Sequence, residues 1–264
     1  MRDLIIVRGA GDIATGTIAL LSRCGFRVIA LETAKPTTIR RMVALSEAVY
    51  QGSATVEDVT AVFTERGGAE KIMDEGQVPL IIDSEMKSLE IFKPAAVVDG
   101  ILAKRNIGFS IDCAPVTIAL GPGFTAGVDC HAVIETNRGH NLGKIIYEGS
   151  AEPNTGTPGV VAGYGKERVI HAPVGGKLDI LRDIGSVVEK GEVIAEISGT
   201  PVPATLTGLV RGMLRDGFDV PKGLKMADID PRTEEYKNCF TISDKARCIA
   251  AGVLGALMER GIRP

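Results

Sequence analysis

The chain opens on an unbroken apolar run, Leu4-Ile5-Ile6-Val7, the pattern of a strand buried on both faces. Gly9-Ala10-Gly11-Asp12-Ile13-Ala14-Thr15-Gly16 comes next, and Ile13, Ile18, Leu20 and Leu21 then recur at helical spacing up to Arg23. Gly25 is placed to end that helix. Residues 26–31 read as a second strand with Glu32 at its end. The alternation continues. Thr37-Thr38 can cap a helix over 39–50, residues 54–64 read as a strand with flanking turns, and 68–75 as a short helix. Residues 78–83 form a buried strand, 86–92 are helical in period, and 95–99 make another strand, closed by Gly100. Strands and helices alternating in this way predict an α/β fold built on a Rossmann-like parallel sheet.

The first 32 residues carry the sharpest signal. A strand, a G-x-G-x-x-A turn, a helix, a second strand and an acid make one βαβ unit. Gly9 permits the tight turn and Gly11 lets a phosphate approach the backbone, while Ala14, or Gly16 behind it, lets the helix pack close. Gly9, Ala10, Gly11, Asp12, Ile13 and Ala14 are thus the candidate phosphate cradle, with free N–H groups at the helix start. Glu32 stands where an acid can accept from a ribose hydroxyl, a placement that disfavours a 2′-phosphate. Asp12 would repel a phosphate unless it caps the helix. Glu32, Asp83 and Asp99 all close predicted strands, where ligands of open parallel sheets collect, although helix capping also explains such acids. Asp99 joins the candidate cofactor-binding residues.

Residues 100–160 are polar and glycine-rich. A strand is expected over 112–120, a loop over 121–127, a strand over 128–136, a short apolar strand at 145–147 and a loop over 151–165. Asn137-Arg138-Gly139-His140 offers a planar donor, an imidazole and backbone N–H groups to an anion. Asn137 and Arg138 are therefore candidate ligand contacts, and His140 a candidate catalytic group. Cys113 reads either as a small buried residue or as a reactive thiol, for which Lys104, Arg105 or Arg138 would supply positive charge. Cys130 and His131 are adjacent, so on a strand they face opposite sides, which argues against a metal site.

Residues 169–230 echo themselves. Each half runs from an Ala four residues ahead of a Gly, through a strand, to a Gly-rich turn containing Lys-Gly, and then a further strand. This pattern resembles the barrel-sandwich hybrid of biotinyl and lipoyl carrier domains. In those carriers the modified lysine sits on the hairpin between the halves, where this chain has Ser198-Gly199-Thr200-Pro201. No biotin or lipoyl attachment is expected, and the module reads as a platform or docking surface. Arg211 and Arg215 could present charge there. Ser243-Asp244-Lys245 starts a last helix, with Ile249, Val253, Leu254 and Leu257 as its apolar positions; Gly252 and Gly255 weaken it unless it packs closely. The expected organisation is a Rossmann-like nucleotide-binding domain over 1–165, the barrel-like module over 166–232, and a helix over 233–264 that returns to the first domain.

Composition narrows the functions. The 264 residues carry a net charge of −3, so no basic field argues for nucleic acid. No apolar run is long enough to span a membrane. The five cysteines are scattered, without a C-x-x-C, and suit a reducing cytoplasm. The apolar stretch at the start is too short for a signal peptide.

Several separate segments resemble one family. They are Arg8–Gly16, Glu47-Ala48-Val49-Tyr50, Gly121-Pro122-Gly123-Phe124, the run from Ile134 to His140, and Asn154-Thr155-Gly156. Together they are similar to the YqeB-type accessory proteins of the selenium-dependent molybdenum hydroxylase system, and the first domain more loosely resembles XdhC/CoxF maturation factors. The resemblance implies a cytoplasmic factor that prepares or inserts a molybdopterin-type cofactor and docks to a molybdenum hydroxylase. It assigns no catalytic residue. On that reading the cradle holds a nucleotide or pterin cofactor, Arg138 and His140 touch its anionic groups, Cys113 handles sulfur, and the chain forms a homo-oligomer. Two alternatives stand beside it. One is an NAD-dependent oxidoreductase with His131 or His140 as acid or base, and the other is a non-catalytic scaffold that grips the hydroxylase.

Overall fold

In the computed structural model, which describes residues 3–156 and 159–264, the chain divides into two units. Residues 1–36, 44–155 and 242–264 make the first. Met1-Arg2, and Thr157-Pro158 within the expected 151–165 loop, lie outside the described residues.

The first unit follows the alternation of the sequence. It contains β1 (Leu4–Arg8), α1 (Asp12–Arg23), β2 (Arg27–Glu32), α2 (Ala48–Gln51), β3 (Ser53–Val56) and β4 (Val59–Phe63). Then come α3 (Ala69–Asp74), β5 (Val78–Ile82), α4 (Ser88–Phe92), β6 (Ala96–Asp99), β7 (Val116–Leu120) and β8 (Thr125–Ala126). β9 (Ala132–Ile134), β10 (Ile145–Ile146), β11 (Gly149–Ser150) and α5 (Asp244–Glu259) complete it. Nine strands form one sheet in the order β10-β9-β7-β6-β1-β2-β5-β4-β3. β4, β5, β2, β1, β6, β7 and β9 run parallel, and only the edge strands β3 and β10 are antiparallel. This is a mixed α/β, Rossmann-like architecture. The central strands read as continuous apolar runs because both faces are covered: Ile5, Ile6 and Val7 are all fully buried.

β1 has β2 on one side and β6 on the other, so the chain winds away from it in both directions. In open parallel sheets ligands collect at such a reversal, in the crevice beyond the carboxyl ends of the strands, here those of β1 and β6.

Helix α5 lies beside α1. A Cβ on Gly16 would stand 2.8 Å from Ala246 Cβ, so only glycine allows this approach. The glycines that weaken α5 in isolation are explained the same way. A Cβ on Gly252 would meet Gly143 O at 2.3 Å, and one on Gly255 would meet Ile145 Cδ1 at 3.2 Å. At its far end, Arg260 donates to His131 O, and the Arg263 N–H donates to Asp3 Oδ2. Asp3 and His131 precede β1 and β9, so α5 ends at the amino edge of the sheet and starts at its carboxyl edge, as α1 does.

The helix expected over 39–50 is not continuous. Residues 41–43 and 45–47 are 3-10 turns, and only Ala48–Gln51 is α-helical. Two outside claims on the backbone break it. Ile39 O accepts the Met213 N–H at 2.7 Å, while the Ser46 N–H goes to Ala10 O at 2.8 Å. The strand expected over 54–64 is the β3–β4 hairpin, turned at Glu57.

The second unit, residues 37–43 and 156–241, is wider than the 166–232 read from sequence. Ile39 brings the first piece in, and Gly212 leaves it room, since a Cβ there would lie 3.2 Å from Ile39 O. The 3-10 stretch Thr233–Cys239 belongs here as well, with Cys239 buried. The strands are β12 (Val169–His171), β13 (Gly176–Ile180), β14 (Val187–Val188), β15 (Val193–Ile197), β16 (Thr200–Pro203), β17 (Gly208–Met213), β18 (Asp219–Val220) and β19 (Lys225–Asp230). They form two antiparallel sheets, β12-β19-β17-β14 and β16-β15-β13-β18. Moving every strand on by one half-repeat converts the first order into the second, so the sequence echo is a structural repeat. Leu178, Ile194, Ile197, Val210, Met226 and Ile229 fill the space between the sheets. Ser198 and Gly199 make the β15–β16 turn at positive φ, the place a carrier lysine would occupy.

Candidate functional site

The crevice is floored by one ion pair. Arg8 and Asp99 are direct neighbours across β1 and β6, and Arg8 Nη1 donates to Asp99 Oδ2 at 2.8 Å. Asp99 is completely buried; burial pushes its carboxyl up, and Arg8 pulls against that. Arg8 Nη2 also donates to Ile107 O at 2.8 Å, and Asp99 Oδ1 accepts from the Ile101 N–H at 3.3 Å. The pair therefore anchors the loop that follows β6. Asp99, expected among the cofactor-binding residues, makes this internal contact.

The glycine turn above the floor is held from all sides. Gly9 has φ +96°, and a Cβ there would lie 2.9 Å from Ile101 Cγ2, so the turn needs glycine on both counts. The Gly9 N–H donates to Leu31 O. The Ala10 N–H donates to Glu32 Oε2 at 2.9 Å, and Ala10 O accepts from the Ser46 N–H and the Thr15 hydroxyl. Ala14 Cβ lies 3.0 Å from where a Cβ of Gly100 would be, so it sets how closely α1 packs on the end of β6. Gly11 is the N-cap and brings no side-chain acceptor. Asp12, read as a possible cap, is instead the first residue of α1, where an acid favours the helix dipole. The N–H groups of the first turn, Ile13 among them, have no partner within the helix by construction.

Glu32 is half-buried, and its Oε1 accepts the Thr33 N–H at 2.8 Å. Burial raises its carboxyl above the usual range, while the Thr33 and Ala10 N–H groups pull it back. A carboxylate offers about four acceptor positions, so capacity for a diol remains. Asp83 has a different task. It accepts the N–H groups of Ser88 and Lys87 at the start of α4, at 2.6 and 3.1 Å. Burial pushes its carboxyl up, but these bonds, Ser88 and Arg66 hold it below the usual range.

The end of β9 reaches the same edge. Glu135 is 3% exposed and spends its carboxylate on the N–H groups of Thr136, Asn137 and Glu152, at 2.7, 2.7 and 2.8 Å. Asn137, Arg138, Gly139 and His140 then form an exposed turn. Arg138 grips Asp244 at the start of α5 with two bonds of 2.8 and 3.1 Å. The next residue, Lys245, enters the sequence reading only as part of the helix start. It is half-buried, and burial and Arg138 lower its pKa, against Asp12, Glu135 and Asp244. Its sequence signal is small, a cation in a helix's first turn, where the dipole disfavours it.

Cys113 is not brought to the crevice. It precedes β7, whose amino end lies at the opposite edge, roughly 15 Å away at about 3.3 Å per strand residue. There it lines an open cavity of about 700 Å³ with Lys93, Asp112, His131, Leu89 and Ile111. Its sulfur accepts the Ser110 N–H at 3.4 Å. His131 Nδ1 accepts the Thr117 N–H at 3.1 Å, which puts the imidazole proton on Nε2. Burial and Arg260 lower its pKa. Asp129 accepts from the Thr125 N–H and Asn106, and burial pushes the Cys130 thiol up to about 12. Among the described residues no three His, Cys, Asp or Glu side chains converge on a metal position, and no helix is long and apolar enough to cross a membrane.

No family model matches the chain. One solved structure, the product-bound ectoine utilization protein EutE (DoeB) from Ruegeria pomeroyi, is 11% identical, with a TM-score of 0.25 over 86% of this chain and 85% of that one. The uncharacterized protein YqeB of Escherichia coli K12 is 52% identical over 257 residues, which is 97% of this chain. The chain spans about half of that relative's length, 47%. Along nearly its whole length, and so through both units, this chain is similar to a YqeB-type protein.

Proposed function

We propose that the chain holds a nucleotide-bearing cofactor at the carboxyl edge of its parallel sheet, as an accessory factor in the maturation of a molybdenum hydroxylase. The observation that carries the binding half is the Glu32–Ala10 contact beside a helix start with no side-chain cap. One carboxylate fixes the glycine turn and still faces the position of a ribose diol, while the first turn of α1 faces a phosphate. The residues fit such a group. Gly11, Asp12 and Ile13 would meet its phosphate, Glu32 its ribose, and the Asn137–Arg138 turn stands at the same edge. A molybdopterin-type cofactor, when bound, supplies sulfur ligands to molybdenum; what this chain contributes is positioning. The maturation role, the cytoplasmic setting, self-association and docking to a hydroxylase rest on the family resemblance.

Of the two imidazoles that hydride transfer could use, His131 stands at the opposite edge, while the exposed His140 lies on the turn after β9. The test is calorimetry of the full chain with ribonucleotides and their 2′-deoxy counterparts, together with mass spectrometry of whatever small molecule copurifies. Wild type is expected to prefer the ribonucleotide, and Glu32→Ala to lose about tenfold or more of that preference. A wild-type chain that binds no nucleotide and retains none from cells making a molybdenum hydroxylase would sink the proposal.

A further inference from the structure

We propose that the open cavity at the amino edge of the parallel sheet is a second ligand site, which holds a small apolar monocarboxylate beside the Cys113 thiol. It lies at the opposite edge from the crevice and goes beyond the nucleotide reading, so the two sites can be tested apart. Three observations carry it. First, the cavity measures about 700 Å³, the size of a small-molecule site. Lys93, Asp112, Cys113 and His131 line it with four different chemistries, and Leu89 and Ile111 are part of its apolar wall. Second, His131 is locked as a donor. Its backbone N–H donates to Thr117 O at 2.9 Å, and its Nδ1 accepts the Thr117 N–H at 3.1 Å. One residue of β7 thus fixes both backbone and ring, and the ring proton sits on Nε2, which has no hydrogen-bond partner among the described residues. Burial and Arg260 lower the pKa of this imidazole, against Asp112, so at pH 7 it is neutral and keeps that single proton. Third, Lys93 is an exposed cation at the end of α4, and among the described residues no carboxylate lies within ion-pair distance of it. It holds a left-handed backbone, φ +45°, where glycine would be the relaxed choice.

The charges choose the ligand. Lys93 brings one positive charge and Asp112 one negative, while His131 is neutral, so nothing in the lining balances a phosphate dianion. A carboxylate accepts from the Lys93 ammonium and from the Nε2–H of His131, two donors for one singly charged group. Its apolar chain then lies along Leu89 and Ile111. Cys113 is half-buried in the same lining, with its sulfur accepting the Ser110 N–H at 3.4 Å, so a thiol stands beside the bound molecule.

The test is alkylation of the full chain by iodoacetate and by its uncharged analogue iodoacetamide, followed at each cysteine by peptide mass spectrometry. Each reaction joins the thiol sulfur to the reagent's methylene carbon, expels iodide and releases the thiol proton to the buffer. Cys24 and Cys248, half-buried elsewhere, are internal controls. At Cys113 the iodoacetate rate is expected to saturate with concentration, as a bound complex requires, while the iodoacetamide rate rises linearly. Butyrate should protect Cys113 from iodoacetate, and inorganic phosphate at the same concentration should not. Lys93→Gln is expected to lower the iodoacetate rate by about tenfold, the loss of one charge-assisted hydrogen bond, and to leave the iodoacetamide rate as it was; Lys93→Arg restores it. Linear iodoacetate kinetics at Cys113 without protection by butyrate overturn the proposal. An iodoacetate-to-iodoacetamide ratio equal to that of Cys24 and Cys248 overturns it as well. Protection by phosphate as strong as by butyrate overturns the choice of a monocarboxylate. All three of these outcomes are read on wild type, so they stand whether or not a variant folds.

Discussion

Replacing Gly16 by alanine is the most direct test of the close pairing of α1 with α5. In an isolated helix the change is favourable, since alanine exceeds glycine by about 1 kcal/mol in helix propensity. Here the new Cβ would lie 2.8 Å from Ala246 Cβ, 2.9 Å from Ala246 O and 3.0 Å from Ala246 C. Two of those three atoms are backbone and cannot rotate away. Carbon atoms rest about 3.5–4.0 Å apart, so the helix starts must part by about 1 Å. Overpacking of this kind costs about 1–3 kcal/mol, more than the propensity gain at most values in that range. The expected net loss is about 1 kcal/mol. With a urea slope of about 2 kcal/mol/M, the midpoint should fall by about 0.5 M, read from the 222 nm signal of α1 and α5. A midpoint equal to or above that of wild type would refute the close packing.

Asp99→Ala should be far more damaging, by about 3–5 kcal/mol, because it leaves the Arg8 guanidinium buried without its counter-charge. The double change Arg8→Met with Asp99→Leu should cost much less in the same urea experiment; equal losses would mean that the ion pair is not what Asp99 supplies. His131 makes a prediction about acid. Its pKa is below the usual 6.5, so the unfolded chain takes up the proton first, and stability is complete above about pH 6.5 and declines as pH falls below it. Melting temperatures from pH 8 to 5 should show this decline, and His131→Gln should flatten it; an unchanged slope would move the origin elsewhere.

The parts of this fold that sequence revealed are those set by neighbours along the chain. The βαβ start is legible because buried parallel strands are continuous apolar runs and the glycine turn is local. The half-repeat of the second unit was legible for the same reason. The segment 39–50 was not, because its conformation is decided by Met213, far away in sequence, and by the glycine turn. Cys113 shows a different limit. Its residue type suggested chemistry, yet a residue just ahead of a parallel strand stands at the amino edge, and only strand direction puts it opposite the cradle. Lys245 had no motif around it. It comes beside α1 only through the approach of Ala246 to Gly16, a contact across most of the chain.

The exchange of sheet order between the halves of the second unit has a consequence for how that unit comes together. β12 and β14 of the first half lie in one sheet while β13 and β15 lie in the other, and the second half is divided in the same way. Neither half owns a complete layer. A fragment ending at Ser198 would hold strands for two different sheets and no partner for most of their edges, with Leu178, Ile194 and Ile197 left in water. The halves are interleaved like clasped fingers, so the unit gains its core in one cooperative step, and cutting the Ser198-Gly199 turn would separate the chain without making either piece a folding unit.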